Sequence, residues 1–219
     1  MLVNPLLEQF LSTEIDLTHV PVKQFNVEET TLADVKQFLE HWHYSKSTAA
    51  LIQRHVFKLM YEADIIGAMV YGHLAMVNAW KKYADNPDDV IELRRLCCID
   101  KTPRNTESYF IGKTIRWLKK NTDIKRIVSY ADPFHGHEGT IYKASNFEHR
   151  GMTSPGKVIM FNGKKYHDKC VRDINKKILN ETGQRVLAQS AVRLLNALKT
   201  GEAQWVETPG KHIYVYELR

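Results

Sequence analysis

Apolar residues recur three and four apart in TLADVKQFLEHWH, at Leu32, Val35, Phe38, Leu39 and Trp42. That spacing predicts an amphipathic helix with Thr31 as its cap, ending near His43, Tyr44 and Ser45. HVFKLMYE and IIGAMVYG are apolar runs split by Ala63-Asp64, which predicts a hairpin. VIELRRLCCI predicts a third strand. PRNTESYFIGKTIRWLKK then predicts a helix capped by Asn105 or Thr106, with Ile111, Ile115 and Leu118 on one face. RIVSYA follows as a short buried strand, GHEGTIYKASN as a helix, and FEHRG and KVIMF as further strands. Helices over 168–180 and 184–199 and a last strand HIYVYEL complete the order. Strands first, then strands alternating with helices, imply a mixed α/β sheet in which 90–99 and 126–131 are parallel neighbours joined by a helix.

Length and composition set the frame for that sheet. With 219 residues and 43% apolar side chains, the chain is expected to form a single domain over 1–219. Residues 1–24 read as an N-terminal extension and 164–200 as a basic helical segment. No apolar run approaches the ~20 residues of a membrane span, and MLVNPLLEQF has no basic n-region before an apolar stretch. A cytosolic protein with no membrane partner is expected. Three cysteines, two of them adjacent at Cys97 and Cys98, give neither a disulfide framework nor a zinc spacing, and read as buried thiols.

The charge is uneven. The net formal charge is +6, and residues 151–219 hold 12 Lys/Arg against 6 Asp/Glu, leaving 19 of each for residues 1–150. A basic excess confined to one end suits a nucleic-acid partner. Lys164, Lys165, Lys169, Arg172, Lys176 and Lys177 can form a basic face tracking phosphates, or simply a solvated helix face.

Candidate chemistry centres on SYADPFHGHEGTIYKASNF, residues 129–147. A strand ending at Ala131 places Ser129 and Asp132 at the carboxyl edge of the sheet, where open α/β sheets bind ligands. The helix beginning near Gly136 points its N–H groups at the same space. Tyr142 on that helix can donate a proton to a leaving group, or pack as an inner-face tyrosine. Strict alternation puts Arg95 on one face with Ile91, Leu93 and Cys97, so its guanidinium must be paired or face a ligand. The chain has ten histidines, and the pairs His41/His43 and His135/His137 can be surface residues or can bind a metal such as iron or zinc.

GTIYKASNFEHRG resembles the GNAT acyltransferase pattern, in which a helix tyrosine is followed four and five residues later by Gly-Phe; here Asn146-Phe147 stands there. Asn tolerates the left-handed conformation that glycine supplies. IELRRLCCIDKTPRNTESYFIGKTIRWLKK, VSYADPFHGHEGTIYKASNF, the HWHYSK helix end and KHIYVYELR together resemble the phage Mom family over roughly residues 30–218. Its members are GNAT-like proteins that convert adenine in DNA to an N6-carbamoylmethyl form and so shield bacteriophage DNA from host restriction. The resemblance implies a GNAT-like mixed central sheet flanked by helices, with extra C-terminal helices and a final strand. It implies a transferase acting in the host cytoplasm on double-stranded DNA, with His43, Tyr44, Arg95, Ser129, Asp132 and Tyr142 lining its site. Arg104, Asn105, Thr106 and Ser108 stand where a GNAT binds the phosphates of acyl-CoA. The usual Arg/Gln-x-x-Gly-x-Gly/Ala loop is replaced by PRNTESYFIG, with no glycine before Gly112. Acetyl-CoA or another acyl-CoA is the first donor implied, and an aminoacyl-tRNA or other activated donor the second. The family's product carries an N–CH2 bond rather than an amide, for which bound iron is one explanation. A GNAT acetyltransferase for a small amine or protein, and a non-catalytic DNA-binding module, are the competing readings.

Overall fold

The structure, a computed structural model, describes residues 15–49, 51–76, 78–172, 178–179, 182, 184–186 and 189–219. The fold is mixed α/β, and the chain divides into two compact units. The first comprises residues 1–131, 138–151 and 212–219, the second residues 132–137 and 152–211.

The first unit is built on a seven-stranded sheet. Its strands are β1 (Asn26–Thr30), β2 (Gln53–Tyr61), β3 (Asp64–Gly72), β4 (Val90–Cys98), β5 (Arg126–Ala131), β6 (Glu148–Met152) and the C-terminal β12 (His212–Glu217). They lie in the order β1-β2-β3-β4-β5-β12-β6. β4 and β5 are parallel, as the sequence implied, whereas the β1–β2, β2–β3, β3–β4 and β5–β12 pairs are antiparallel.

Alternation along β3 divides the core. Met69 and Tyr71 face a cluster with Phe57, Ile91, Leu93 and Ile127, which helix α2 (Thr106–Asn121) covers with Phe110, Ile111 and Leu118. Ala68 and Val70 face the other way, against Val35 and Leu39 of helix α1 (Leu32–Trp42). α1 starts on a capping box: Thr31 accepts from the Asp34 N–H, and the Asp34 carboxylate accepts from the Thr31 N–H. From the expected N-terminal extension, Leu17 joins the larger core cluster, and residues 1–14 lie outside the described residues. No helix among the described residues is long and apolar enough to cross a membrane.

The second unit has a three-stranded sheet of β7 (Gly156–Phe161), β8 (Lys164–His167) and β11 (Ala203–Thr208), in the order β11-β7-β8. Asn162 and Gly163 link β7 to β8 with φ of 49° and 70°, the left-handed pair a two-residue hairpin needs. Helix α5 (Gln189–Thr200) buries Leu194 and Ala197 against Ile159, Phe161 and Ala203. Where a helix over 168–180 was expected, the described residues hold only α4 (Lys169–Arg172) and a two-residue strand β9 (Ile178–Leu179), paired with β10 (Arg185–Val186). Helix α3 (Thr140–Ala144) of the first unit is likewise shorter than GHEGTIYKASN suggested: Gly136 and Gly139 both take positive φ and delay its start.

Candidate active site

β4 and β5 pair from Val90–Arg126 to Leu93–Ser129, and there the ladder stops although both strands continue. At the same level β4 is bulged: Val70 pairs with Arg95 and Tyr71 with Leu93, so Arg94 is the extra residue. The bulge corrects the expected alternation. Beyond it Leu96 and Cys98 pack on the cluster that holds Ile91 and Leu93, while Cys97 packs with Ala68 and Val70. Arg95 therefore leaves the Ile91/Leu93 face, and a bulge at the end of a ladder is a device that re-aims a side chain.

The re-aimed guanidinium is half-buried and poorly served by the protein. Its NH1 donates to the Arg94 carbonyl at 2.8 Å, and its Nε is buried with no hydrogen-bond partner among the described residues. Burial lowers its pKa, with Tyr44 and Glu92 opposing that shift and Arg94 adding to it. A buried N–H aimed at no protein acceptor costs free energy that an incoming oxygen would relieve.

Tyr142 and Ser129 stand within this electrostatic neighbourhood. Tyr142 is buried, and desolvation pushes its phenol up to about 12; hydrogen bonding to Ser129 works against that shift, and Tyr44 and Glu92 add to it. The hydroxyl is thus a fixed neutral donor at physiological pH. Ser129 is fully buried and its hydroxyl donates to the Leu93 carbonyl at 3.3 Å, at the last rung of the parallel ladder. From the end of α1, buried His43 stacks on exposed Tyr44 with centroids 4.3 Å apart. The His43 Nδ1 accepts the Ser45 N–H at 3.1 Å, so the neutral ring carries its proton on Nε2. Tyr44 and Glu92 thus bear on both Arg95 and Tyr142, and Ser129 bears on Tyr142. Sequence reasoning missed Glu92, a buried carboxylate whose Oε2 accepts the Ala75 N–H at 2.9 Å. Its signal was an acid inside the apolar run VIEL.

α3 reaches this site through Gly139. A Cβ there would run into the Tyr214 ring, whose hydroxyl donates to the Glu138 carbonyl at 2.6 Å. Asn146 ends the same segment at φ 62°, the left-handed conformation expected where GNAT proteins place glycine.

Asp132 follows β5 and belongs to the second unit. It is buried, and its Oδ1 accepts the Phe134 N–H at 3.1 Å at the head of the 3-10 turn Pro133–His135. Its Oδ2 lies 3.4 Å from the Lys211 ammonium and 3.9 Å from that of Lys165. Lys165 also sits 3.1 Å from His135 Nε2 and 4.1 Å over the Phe134 ring, and desolvation lowers its pKa. Of the residues expected to track phosphates, Lys165 is thus engaged with Asp132, while Lys164 and Lys169 are exposed. Arg172 closes α4, and Lys176 and Lys177 lie outside the described residues.

The start of α2 presents a third feature. Asn105 caps it in the left-handed conformation (φ 73°) without a side-chain hydrogen bond, and Thr106 and Ser108 donate inward to the Pro103 and Asn105 carbonyls. Arg104 is exposed beside them. Among the described residues, no three His, Cys, Asp or Glu side chains group as metal ligands, and burial pushes the Cys97 thiol up to about 12.

A sequence model of the Mom protein family matches residues 24–219. The chain belongs to the Mom family. Methylcarbamoylase mom of Escherichia phage Mu is 28% identical over 134 residues, covering 59% of this chain and 54% of that protein. The alignment thus spans about half the length of that relative. Among solved structures, the IAA acetyltransferase of Bacillus cereus ATCC 14579 has a TM-score of 0.50 at 10% identity, covering 88% of this chain and 99% of that one. A Bacillus subtilis acetyltransferase in complex with CoA has a TM-score of 0.47 at 10% identity, covering 90% and 99%. The fold of this Mom family member is that of the GNAT acetyltransferases.

Proposed function

We propose that this Mom family protein is a transferase that hypermodifies adenine in phage DNA at N6, by the carbamoylmethyl type of reaction, and so protects that DNA from restriction in the host cytoplasm. The observation that carries the reading is the arginine re-aimed by the β4 bulge. Its buried, unserved Nε lies in the field of Tyr44 and Glu92, which also acts on the neutral donor Tyr142. A site that holds an oxygen with a guanidinium and protonates a departing group with a phenol suits group transfer to a weak amine nucleophile.

The residues divide the work as follows. The adenine N6 lone pair is delocalised into the ring, so the base must leave the stack to be reached. Arg95 holds the carbonyl or anionic oxygen of the transferred unit, and Tyr142 gives its proton to the leaving group. Ser129 orients the Tyr142 hydroxyl, and His43 and Tyr44 wall the site from the end of α1. Asp132 orients the N6 amino group and takes its proton as the new bond forms, with Lys165 and Lys211 as counter-charges.

For the donor, the start of α2 fits an anion. Asn105 makes no side-chain cap, its left-handed conformation replaces the missing glycine, and the helix N-terminus presents its N–H groups. Arg104, Asn105 and Ser108 would hold the phosphates of an acyl-CoA donor, whereas fully buried Thr106 spends both its hydroxyl and its N–H on the Pro103 carbonyl. Acyl transfer from such a donor, with the thiol leaving, would give an N6-acyl adenine; a carbamoylmethyl product requires a donor that carries the CH2–CO–NH2 unit with its leaving group on the CH2 carbon, so that the N6–CH2 bond forms as that bond breaks.

Mass spectrometry of nucleosides from the DNA of cells expressing the protein tests this reading, beside cells expressing Asp132→Asn. A new adenosine adduct of carbamoylmethyl mass with the intact protein alone is expected. Unmodified adenosine, together with acetylation of a small amine by the purified protein, would replace the reading with that of an ordinary acetyltransferase.

A further inference from the structure

The second unit has a groove of about 570 Å³ alongside α5, between the helix and the end of β7. Along it Gln189, Arg193, Asn196 and Thr200 recur at four, three and four residues, which places them on one stripe of the helix. Beside that stripe, Leu194 and Ala197 pack into the core, and Ala197 also floors the groove. No acid stands on the stripe, and Glu202 follows only at the groove's end. Among the described residues, no side-chain hydrogen bond to protein is made by Gln189, Asn196 or Asn162 of the neighbouring turn.

Arg193 makes no ion pair among the described residues. Its guanidinium lies 5.2 Å over the Phe161 ring. Such stacking fixes the plane of the group and leaves its N–H edge free to donate in a bidentate fork. Val192 borders the groove at 41% exposure. A helix face whose only duty was solubility would be served by Lys and Glu. This one instead offers two amides and a forked cation beside an apolar methyl pair. Those side-chain types match the donor and acceptor pattern of base edges: Arg with guanine, Asn and Gln with adenine, an apolar contact with the thymine methyl. The charge fits the same occupant. Residues 132–137 and 152–211 together hold 11 Lys/Arg against 6 Asp/Glu.

We propose that the α5 groove is a DNA-reading site, in which Gln189, Arg193 and Asn196 contact base edges and set the sequence context in which adenine is modified. This rests on the DNA-modifying reading above and assigns its sequence selection to the second unit. Lys164, exposed just past the Asn162-Gly163 turn, contacts phosphate and adds affinity without selection.

The test uses the full chain, Arg193→Ala, the double variant Gln189→Ala/Asn196→Ala, and Lys164→Ala, each checked for an unchanged thermal unfolding midpoint. Two readouts are taken: sequencing of duplexes retained from a randomised pool, and the sequence context of modified adenines in cellular DNA. The intact protein is expected to enrich particular bases. Arg193→Ala and the double variant are each expected to lose on the order of tenfold preference at one or two positions while still modifying DNA. Lys164→Ala is expected to bind every sequence more weakly with its preferences intact. The proposal is overturned if the intact protein enriches no sequence. It is equally overturned if both groove variants keep the intact protein's preferences, whether or not overall affinity falls. If no DNA is modified but the retained sequences change as expected, the groove stands and the modification reading fails.

Discussion

Tyr142 and Arg95 are both held away from water, and with opposite consequences. For Tyr142 burial favours the neutral phenol, which is the form a proton donor needs. Tyr142→Phe removes that donor and little volume. Modified adenosine is expected to fall about a hundredfold, measured by nucleoside mass spectrometry against an unchanged midpoint of unfolding at pH 7. The same burial has an alkaline signature. The unfolded phenol gives up its proton near pH 10 and the folded one near about 12, so the stability it contributes is intact below pH 10 and is lost as pH rises through that interval. Urea unfolding from pH 9 to 11 is expected to show a shallower alkaline loss for Tyr142→Phe than for the intact chain. Arg95 shows the converse: its buried Nε has no acceptor among the described residues, and an oxygen brought to it would offset the cost of that burial. Arg95→Met is expected to raise stability by about 1 kcal/mol, on the scale of one unmade buried hydrogen bond, while abolishing modification. A melting curve that moves down instead would assign Arg95 a structural role.

Elements form where local signals agree, and α1 is the clearest instance. Its apolar spacing and its Thr31–Asp34 capping box both lie within one stretch of sequence. Thr31→Ala is expected to cost about 1 kcal/mol in chemical denaturation, and a loss near zero would mean that packing of Val35 and Leu39 alone sets where the helix begins. The β2–β3 hairpin and the parallel β4–β5 pair were legible for the same reason, as apolar runs bounded by turns. β1, β8 and β11 were not. NVEET and KKYH hold a single apolar residue each, and AQWVET exposes the tryptophan that should have marked its inner face. The bulge was hidden because alternation describes a regular ladder, and nothing in IELRRLCC says that Arg94 is the extra residue. The candidate site residues could be named from sequence only as residue types expected on a sheet edge. Glu92 was not named, nor were the lysines on Asp132, one 33 residues away and the other 79. Contacts between distant segments leave no periodicity to read.

Charge is a property of the whole molecule, and here it separates by unit. The basic excess of the C-terminal third belongs to the second unit, whose Lys165 and Lys211 are partly occupied by Asp132. The cations free to meet phosphate there are therefore fewer than composition suggests. Lys164, Lys169, Arg193 and Lys199 are exposed and form no ion pair among the described residues. If about four cations displace counterions from a duplex, the logarithm of affinity falls with that of salt at a slope near −3.6. That is roughly a hundredfold loss between 50 and 200 mM salt. Fluorescence anisotropy of a labelled duplex across that range measures the slope directly. A slope near −10 would mean that cations beyond these four also carry phosphate contacts, and a slope near zero would remove duplex DNA as the partner of the basic unit. Lys164→Ala is expected to make the slope shallower by about one, because one fewer counterion is released. Asp132→Asn is expected to steepen it, because Lys165 and Lys211 lose the carboxylate that now holds them. A variant that binds DNA more tightly yet modifies none would separate the electrostatics of holding the substrate from the chemistry performed on it.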